Sequence, residues 1–429
     1  MARASFVFGH LADAHVGAWP RDPAVREALR KSVLRALDVV EERGCEFLLI
    51  SGDLFHTPVP EPAEVAPIAS ALRRLVDSGR RVYVIYGSHD YIAHRTSWLD
   101  VLAETGIFLR AAPEPVHEEG ARFTLGYHVD PPTGAVIAGI SGRSHGLDAG
   151  VFRGIDSERF RAEPGFHIFQ FHAAVREYLP EVLRPHIAGI SRDDLPGGCD
   201  YYAGGHIHQS YVGEGPDGGL LVNPGAVFGT SVTDVAWASV PDHRAGLAIV
   251  TVRDGRPSVE HVPTAPRELV RVVEVNVDGR TPEQARELLA EEVRAASAPG
   301  ALLFPKLRGT LAEGGPRTLG LKEATEGLEA TGAAGVHWDL HEVVHAEAAN
   351  PDAGRPESEI EADVLRQLAE RAPEGLADLH GPEGQARLGE LLRALGVPRG
   401  EGEARLDYVH ARVDAGLRIL NVRGRPITP

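Results

Sequence analysis

Cysteine is nearly absent from the 429 residues: Cys45 and Cys199 stand isolated, which excludes a disulfide framework, and both read as small buried hydrophobes. Long apolar runs are missing too. None approaches the roughly 18 residues that a membrane span needs, and the amino terminus, MARASFVFGHLADAHVG, lacks the apolar region of a signal peptide. These absences predict a reducing, cytoplasmic setting and no membrane. Positive charge is short as well, with 44 Lys+Arg against 61 Asp+Glu and a net charge of -17. That argues against a broadly basic surface that coats nucleic acid, while leaving room for a local basic groove or a metal-mediated contact with phosphate. The cations are overwhelmingly arginine. What is present is an ordinary globular composition, 43% hydrophobic, in a chain long enough for two or three domains.

From the start to about residue 265, short apolar runs alternate with helical patterns, the rhythm of a layered α/β domain. SFVFGHLA, FLLISGDLF, VYVIYGSHD, HIFQFHAA, DYYAGGHIH and LLVNPGAV are the candidate strands. Over residues 23–43, Val25, Leu29, Val33, Leu37 and Val40 fall at helical spacing, and Gly44 supplies the stop. GLAIVTVRDGRPSVEHV reads as a hairpin turning at Asp254-Gly255. From 266 to 345 the pattern is a small αβ domain, with Thr281-Pro282-Glu283-Gln284 as a helix start carrying a capping box. Residues 346–358 have linker composition, and 359–429 read as short amphipathic helices.

The strand ends share a pattern. Asp13-Ala14-His15 follows the first strand, Gly52-Asp53 the second, Gly87-Ser88-His89-Asp90 the third, His172 the fourth and Gly204-Gly205-His206-Ile207-His208 the fifth. Residues i and i+2 of an extended segment point the same way, so Asp13 with His15, and His206 with His208, each converge on one point. Carboxylates and imidazoles together suit Mn²⁺, Fe²⁺ or Zn²⁺, and an aspartate between two ions can bridge them. Glycines beside the ligands let the backbone bend inward. Asp90 reads as an acceptor that orders its loop, with a ligand role as the alternative. Asn223-Pro224-Gly225 reads as a turn near the metals, open to a phosphate contact. His10, His94, His128 and His145 read as structural or surface residues, with His94 near enough in sequence to His89 to share its cleft.

The ordered series D-x-H, G-D, G-x-H-D, H and G-H-x-H resembles that of the calcineurin-like metallophosphoesterases. HLADAHVG, ISGDLFH and GSHD, with further segments behind them, are most similar to the SbcD-type nuclease subunit of the DNA double-strand-break repair complex. The resemblance covers residues 8–230. It implies a four-layer αββα sandwich with a small αβ capping domain, a helical tail, and two divalent metal ions, usually Mn²⁺, at the sheet edge. Carried over by position, it implies that Asp13, His15 and His208 bind one ion, His172 and His206 the other, and that Asp53 bridges. His89 matches a histidine that assists catalysis without binding metal, and His56 one placed near the substrate. Ser88 departs from the pattern, standing where the family has an asparagine ligand to the second ion. A shorter, poorer ligand there implies a second ion that is weaker, hydrated or different.

Three functions follow as expectations. The first is a metal-dependent DNA exonuclease, with endonuclease activity open, that acts at DNA ends with an SMC-like coiled-coil ATPase partner; a homodimer is compatible with it. The second is a small-substrate phosphodiesterase or phosphatase of the same superfamily, which the acidic balance favours. The third is a weakly catalytic scaffold that binds a partner. Two ions about 4 Å apart would lower the pKa of a shared water and orient a phosphodiester for in-line attack. His89, if it is not a ligand, is suited to protonate the leaving oxygen, with ordering of the loop as the alternative role.

Overall fold

The computed structural model describes residues 5–92, 96–111, 122–142, 149–181, 183–184, 187, 189–239, 246–266, 268–344, 356–370, 379–397 and 405–420. The chain divides into two compact units, Met1–Ala346 and Glu347–Pro429.

In the first unit, β1 (Ser5–Leu11), β2 (Phe47–Ser51), β3 (Arg81–Ile85) and β4 (Leu109–Arg110) run parallel. β13 (Leu247–Arg253) and β14 (Arg256–Val262) extend the β1 side antiparallel, giving the order β14-β13-β1-β2-β3-β4. β2, FLLIS, is buried at every position, as a strand covered on both faces must be. The crossovers are α1 (Pro23–Glu42) and α2 (Pro62–Asp77), with α3 (Trp98–Glu104) leading into β4. The expected stripe of α1, Val25, Leu29, Val33, Leu37 and Val40, is its buried face, and Gly44 follows with φ 64°. The β13–β14 turn has positive φ at both Asp254 and Gly255, the geometry that matches the twist of a two-residue hairpin.

The second sheet has the order β11-β12-β10-β9-β7-β6: β11 (Tyr211–Glu214), β12 (Leu220–Asn223), β10 (Tyr201–Ala203), β9 (His167–Phe171), β7 (Val136–Ile140) and β6 (Tyr127–Val129). Its four central strands are parallel. β7 is a strand the sequence reading did not name. VIAGI is five apolar residues with an internal glycine, too short for periodicity to separate strand from helix.

Three apolar layers make this a four-layer αββα sandwich. Phe8, Phe47, Leu49 and Ile85 of the first sheet meet Ile137, Ile168 and Val222 of the second. Outside the first sheet lie α1 and α2. Outside the second, Phe152 of α4 (Ala149–Arg153) and Phe160 of α5 (Glu158–Ala162) pack near Phe169 and Phe171, beside the small ribbon of β5 (Phe123–Thr124) and β8 (Ile155–Asp156). α6 (Val232–Ser239) precedes β13.

A third, parallel sheet joins β15 (Val270–Asn276), β16 (Leu302–Thr310), β17 (Gly335–Val336) and β18 (Asp339–Val344), with α7 (Pro282–Ala296) and α8 (Leu321–Glu329). Thr281 and Gln284 form the expected capping box on α7. β17 and β18 again go beyond the sequence reading. This sheet has its own core around Leu289, Leu303 and Leu307. It rests on the sandwich through Phe304 against Trp19 (5.9 Å) and a 2.9 Å contact between His337 Nδ1 and Asp22 Oδ2.

The second unit holds α9 (Glu357–Glu370), α10 (Gly381–Leu395) and α11 (Arg405–Ile419). The linker expected at 346–358 lies largely outside the described residues, and α9 begins within its last two positions. Leu365 and Ala369 are buried, whereas Val364, Leu368, Leu392 and Leu395 are exposed. Among the described residues, no helix is long and apolar enough to cross a membrane.

Candidate metal centre

Parallel strands that share a direction deliver their carboxyl ends to one edge, and here two sheets do so side by side. The turns after β1, β2 and β3 bring Asp13, His15, Asp53, Ser88 and His89. Those after β9 and β10 bring His172, His206 and His208. Asp13, His15, Asp53 and His172 are buried, His206, His208, His56 and Ser88 half-buried, and His89 exposed.

Asp53 sits in the middle. Its Oδ2 lies 3.2 Å from His172 Nε2 and 3.7 Å from His15 Nε2, and it accepts a hydrogen bond from Ser88 Oγ at 3.2 Å. Its Oδ1 accepts the His89 backbone N–H at 2.8 Å. Asp13 accepts the His206 backbone N–H with both oxygens, at 3.1 and 3.0 Å. His15 Nε2 faces His208 Nε2 at 3.0 Å. The His172 and His206 rings lie 5.1 Å apart. Asp13, His15 and His208, and again Asp13, Asp53 and His172, bring their donor atoms close enough to share an ion.

Close approach needs glycine at two points. A Cβ on Gly52, whose φ is 86°, would lie 2.4 Å from His172 Nδ1, and one on Gly87 only 2.0 Å from Asp53 Oδ1. Strain collects here too. Asp13, His15, Asp53 and His206 all have positive φ, four of the seven such non-glycine residues among those described. At about 1–3 kcal/mol each, such conformations persist where something else holds them.

Hydrogen-bond polarity tests whether a cation fits. His172 Nδ1 lies 2.8 Å from the Ser51 carbonyl, which only accepts, so Nδ1 carries a proton, and the neutral ring turns its Nε2 lone pair toward the Asp53 carboxylate. His208 Nδ1 contacts Asp234 Oδ2 at 2.9 Å, so in the neutral ring the Nε2 lone pair faces His15. In the neutral form these acceptors face one another and need positive charge between them, a metal ion or, in its place, protons on the imidazoles. Nitrogens each about 2.1 Å from one ion and at right angles lie about 3.0 Å apart, the His15–His208 separation. The donor set fits divalent metal.

Electrostatics agree. Burial raises the Asp13 carboxyl to about 6 and lowers His206 to about 4. Burial also works against charge on His172 and His208, but Asp53 beside the first and Asp234 beside the second outweigh it and raise both to about 9. Asp53, despite its own burial, is held well below the ordinary carboxylate value by His172 and His15. Positive charge is favoured at the two imidazoles flanked by carboxylates.

His89 Nδ1 donates to the His56 carbonyl at 2.9 Å, and its ring lies 5.0 Å from that of His56 and 4.8 Å from that of His15. The His56 Nδ1 atom is buried without a partner. Asp90 accepts the backbone N–H groups of Leu54, Phe55 and Gly87, the loop-ordering role read from the sequence. Asn223 donates to the Ile207 and Gln209 carbonyls, and Ala226 N–H to that of His208, so this turn braces the GGHIH loop. His128 contacts the Arg110 carbonyl, away from these groups. His94 and His145 lie outside the described residues.

Sequence reasoning missed Asp234. Its Oδ2 meets His208 and accepts the Thr230 and Ser231 N–H groups, and so fixes the orientation of that imidazole. The available signal was Ser231-x-x-Asp234, a capping box at the start of α6. Nothing in that spacing shows that the carboxylate also reaches a histidine.

Residues 6–210 match the family model described as calcineurin-like phosphoesterase. The chain carries a calcineurin-like phosphoesterase domain. That domain type hydrolyses phosphoester bonds with divalent metal, in agreement with the donor set above. Among curated proteins, the chain is similar to the uncharacterized metallophosphoesterase YhaO of Bacillus subtilis, 26% identical over 216 residues (48% of this chain, 49% of that one). It is also similar to proteins named DNA double-strand break repair protein Mre11. That of Archaeoglobus fulgidus is 26% identical over 227 residues (51% and 49%), and that of Methanopyrus kandleri 25% over 286 residues (62% and 59%). The matches thus span about half of the length of most of these relatives.

Proposed function

We propose that the chain is a metal-dependent phosphodiesterase that acts on DNA ends, an exonuclease with endonuclease capacity, in the cytoplasm. One observation carries the phosphodiesterase reading: a single carboxylate, Asp53, is approached by imidazoles from the ends of both sheets, with a further histidine, His89, tied to it through the backbone. Similarity to proteins named for DNA double-strand-break repair supports the choice of DNA. In this reading Asp13, His15 and His208 hold one ion, His172, His206 and Ser88 the other, and Asp53 bridges; Mn²⁺ suits these oxygen and nitrogen donors. The ions would supply a nucleophilic hydroxide and neutralise charge on the phosphoryl oxygens. The chain's own part follows from its contacts. Asp234 and the Ser51 carbonyl fix the orientations of His208 and His172. His56, half-buried with its ring 5.0 Å from that of His89, would contact the substrate in this reading. His89 is exposed, and its Nδ1 is committed to the His56 carbonyl, so Nε2 is the atom that delivers a proton to the leaving oxygen.

The deciding experiment assays the full chain with Mn²⁺ on linear duplex DNA, beside a chromogenic phosphodiester and a monoester. Mn²⁺-dependent shortening of the DNA supports the nuclease reading. Turnover of the small esters with intact DNA supports a small-substrate phosphodiesterase instead, the reading favoured by the net charge of -17. Wild-type turnover that survives exhaustive chelation would remove both.

Ser88 provides a sharper test of the second ion. Its hydroxyl sits 3.2 Å from Asp53 Oδ2, and an asparagine there would reach one atom further with a better donor oxygen. Ser88→Asn is expected to tighten binding of the second Mn²⁺ in a calorimetric titration; unchanged or weaker binding would mean that another group fills the position.

The helical unit is proposed to hold a coiled-coil ATPase of the SMC type. Val364 and Leu368 of α9, with Leu392 and Leu395 of α10, expose apolar area of the kind that docks a partner helix. Truncation near residue 350 is expected to leave a folded protein that hydrolyses small phosphodiesters and no longer co-purifies with such an ATPase. Loss of cooperative unfolding would show instead that these faces pack on the protein's own domains.

A further inference from the structure

Beneath the ligand turns lies a group of fully buried polar side chains that neither binds metal nor touches the cleft. His10 of β1 is 0% exposed, with Nδ1 2.9 Å from Tyr201 Oη and Nε2 3.0 Å from Ser51 Oγ. Ser51 Oγ lies in turn 3.1 Å from the Ala203 carbonyl, and Gln170 Nε2 approaches the same hydroxyl at 3.4 Å. The directions follow from the Ser51 bond to the Ala203 carbonyl, and the Gly204 backbone also accepts from the His10 ring. The Ala203 carbonyl only accepts, so the single Ser51 proton goes there. Ser51 must then accept from His10, whose Nε2 carries the proton. Burial lowers the His10 pKa to about 3, so the ring is neutral and its Nδ1 accepts from the Tyr201 hydroxyl. The result is a one-way relay from Tyr201 to His10 to Ser51 to Ala203.

Its ends lie two residues apart on β10, so the relay closes a ring from the second sheet through β1 and β2 of the first and back. Each member stands just before a ligand turn. His10 precedes Asp13 and His15, Ser51 precedes Asp53, and Ala203 precedes the loop with His206 and His208. Ser51 also accepts from His172 through its carbonyl. Apolar contacts between sheets tolerate small sliding, whereas a directed ring of hydrogen bonds has one register.

We propose that His10, Ser51 and Tyr201 are positioning residues that lock the two sheets in register at the edge where each supplies half of the metal ligands. The proposal rests on the two-ion reading of the centre. It assigns a role to His10, which sequence alone left as a structural or surface residue.

The test uses Tyr201→Phe and His10→Phe in the full chain, with Mn²⁺ as the probe. Calorimetric titration of the chelator-stripped proteins reads the number of ions and their affinity. Electron paramagnetic resonance of the loaded proteins reads the exchange coupling between neighbouring Mn²⁺ ions, which follows their separation and the bridge. The variants are expected to stay folded at the assay temperature and to bind the second ion at least about tenfold more weakly, a typical loss when a group that orients a ligand is removed. The coupled signal should weaken at metal ratios where the wild type shows it. Variants whose metal-free melting temperature falls while Mn²⁺ affinity and coupling stay at wild-type values would overturn the proposal, leaving these residues a purely structural role. Should His10→Phe fail to fold, Tyr201→Phe, which lacks a single oxygen atom, decides alone. A wild-type chain that takes up fewer than two ions would instead remove the reading on which the proposal rests.

Discussion

The Asp53→Asn variant should lose phosphodiester hydrolysis by about a thousandfold or more, well beyond the roughly 10–100-fold cost of losing a residue that only orients a ligand. The amide keeps the shape of the carboxylate and an oxygen to accept the His89 N–H, so the loop after β3 should stay in place. What goes is the negative charge that the centre is built around. Asp53 faces His172 and His15 from opposite sheets, and without it Asp13 is the carboxylate left near both imidazoles. The metal-free variant should unfold somewhat below the wild-type temperature near neutral pH, since Asp53, held below its ordinary value by His172 and His15, contributes stability there that an amide does not supply. The wild type should gain thermal stability on addition of Mn²⁺ and the variant should not. Calorimetry, melting curves and rates together separate this from misfolding; a variant that still takes up two ions and turns over normally would show that Asp53 is no bridge.

The candidate centre was legible in the sequence because its candidate ligands are chemically rare at strand ends. Asp13-x-His15, Gly52-Asp53, Gly87-Ser88-His89 and Gly204-Gly205-His206-x-His208 break apolar runs with ionisable groups, and the structure brings these residues, with His172, to one edge. The long helices were legible for a related reason: α1 spends five turns repeating one buried stripe, and α7 announces itself with Thr281 and Gln284. Short strands gave no such signal. VIAGI and the two-residue Gly335–Val336 are strands because neighbouring strands complete their hydrogen bonds, which no local window records. The division of the strands between two sheets was equally hidden, since every parallel strand reads as the same apolar run. Supporting residues were hardest to find. Asp234 lies 26 positions from His208, and His10 lies 191 from Tyr201, so their roles exist only once the chain is folded.

The second large effect concerns His89, and it depends on the substrate. His89→Gln should lower kcat on DNA by about 10²–10⁴-fold, the usual contribution of a positioned proton donor. Two Mn²⁺ ions should still bind, because the backbone N–H that contacts Asp53 survives the change and the lost ring donates to the His56 carbonyl rather than to a carboxylate ligand. A sugar oxygen is a poor leaving group and needs its proton as the phosphorus–oxygen bond breaks. A nitrophenolate leaves without one. If His89 is the donor, the same variant should hydrolyse a nitrophenyl phosphodiester at close to the wild-type rate, and the ratio of the two losses measures the donated proton directly. A residue that merely ordered the loop would disturb the metal geometry and depress both substrates alike. Equal losses on DNA and on the activated ester, with weakened Mn²⁺ binding, would therefore reassign His89 from catalysis to support. The ring is more exposed than buried Asp53 and half-buried His56 beside it, which favours the unequal outcome, because a proton donor must be reachable by substrate and a group that only braces a loop need not be.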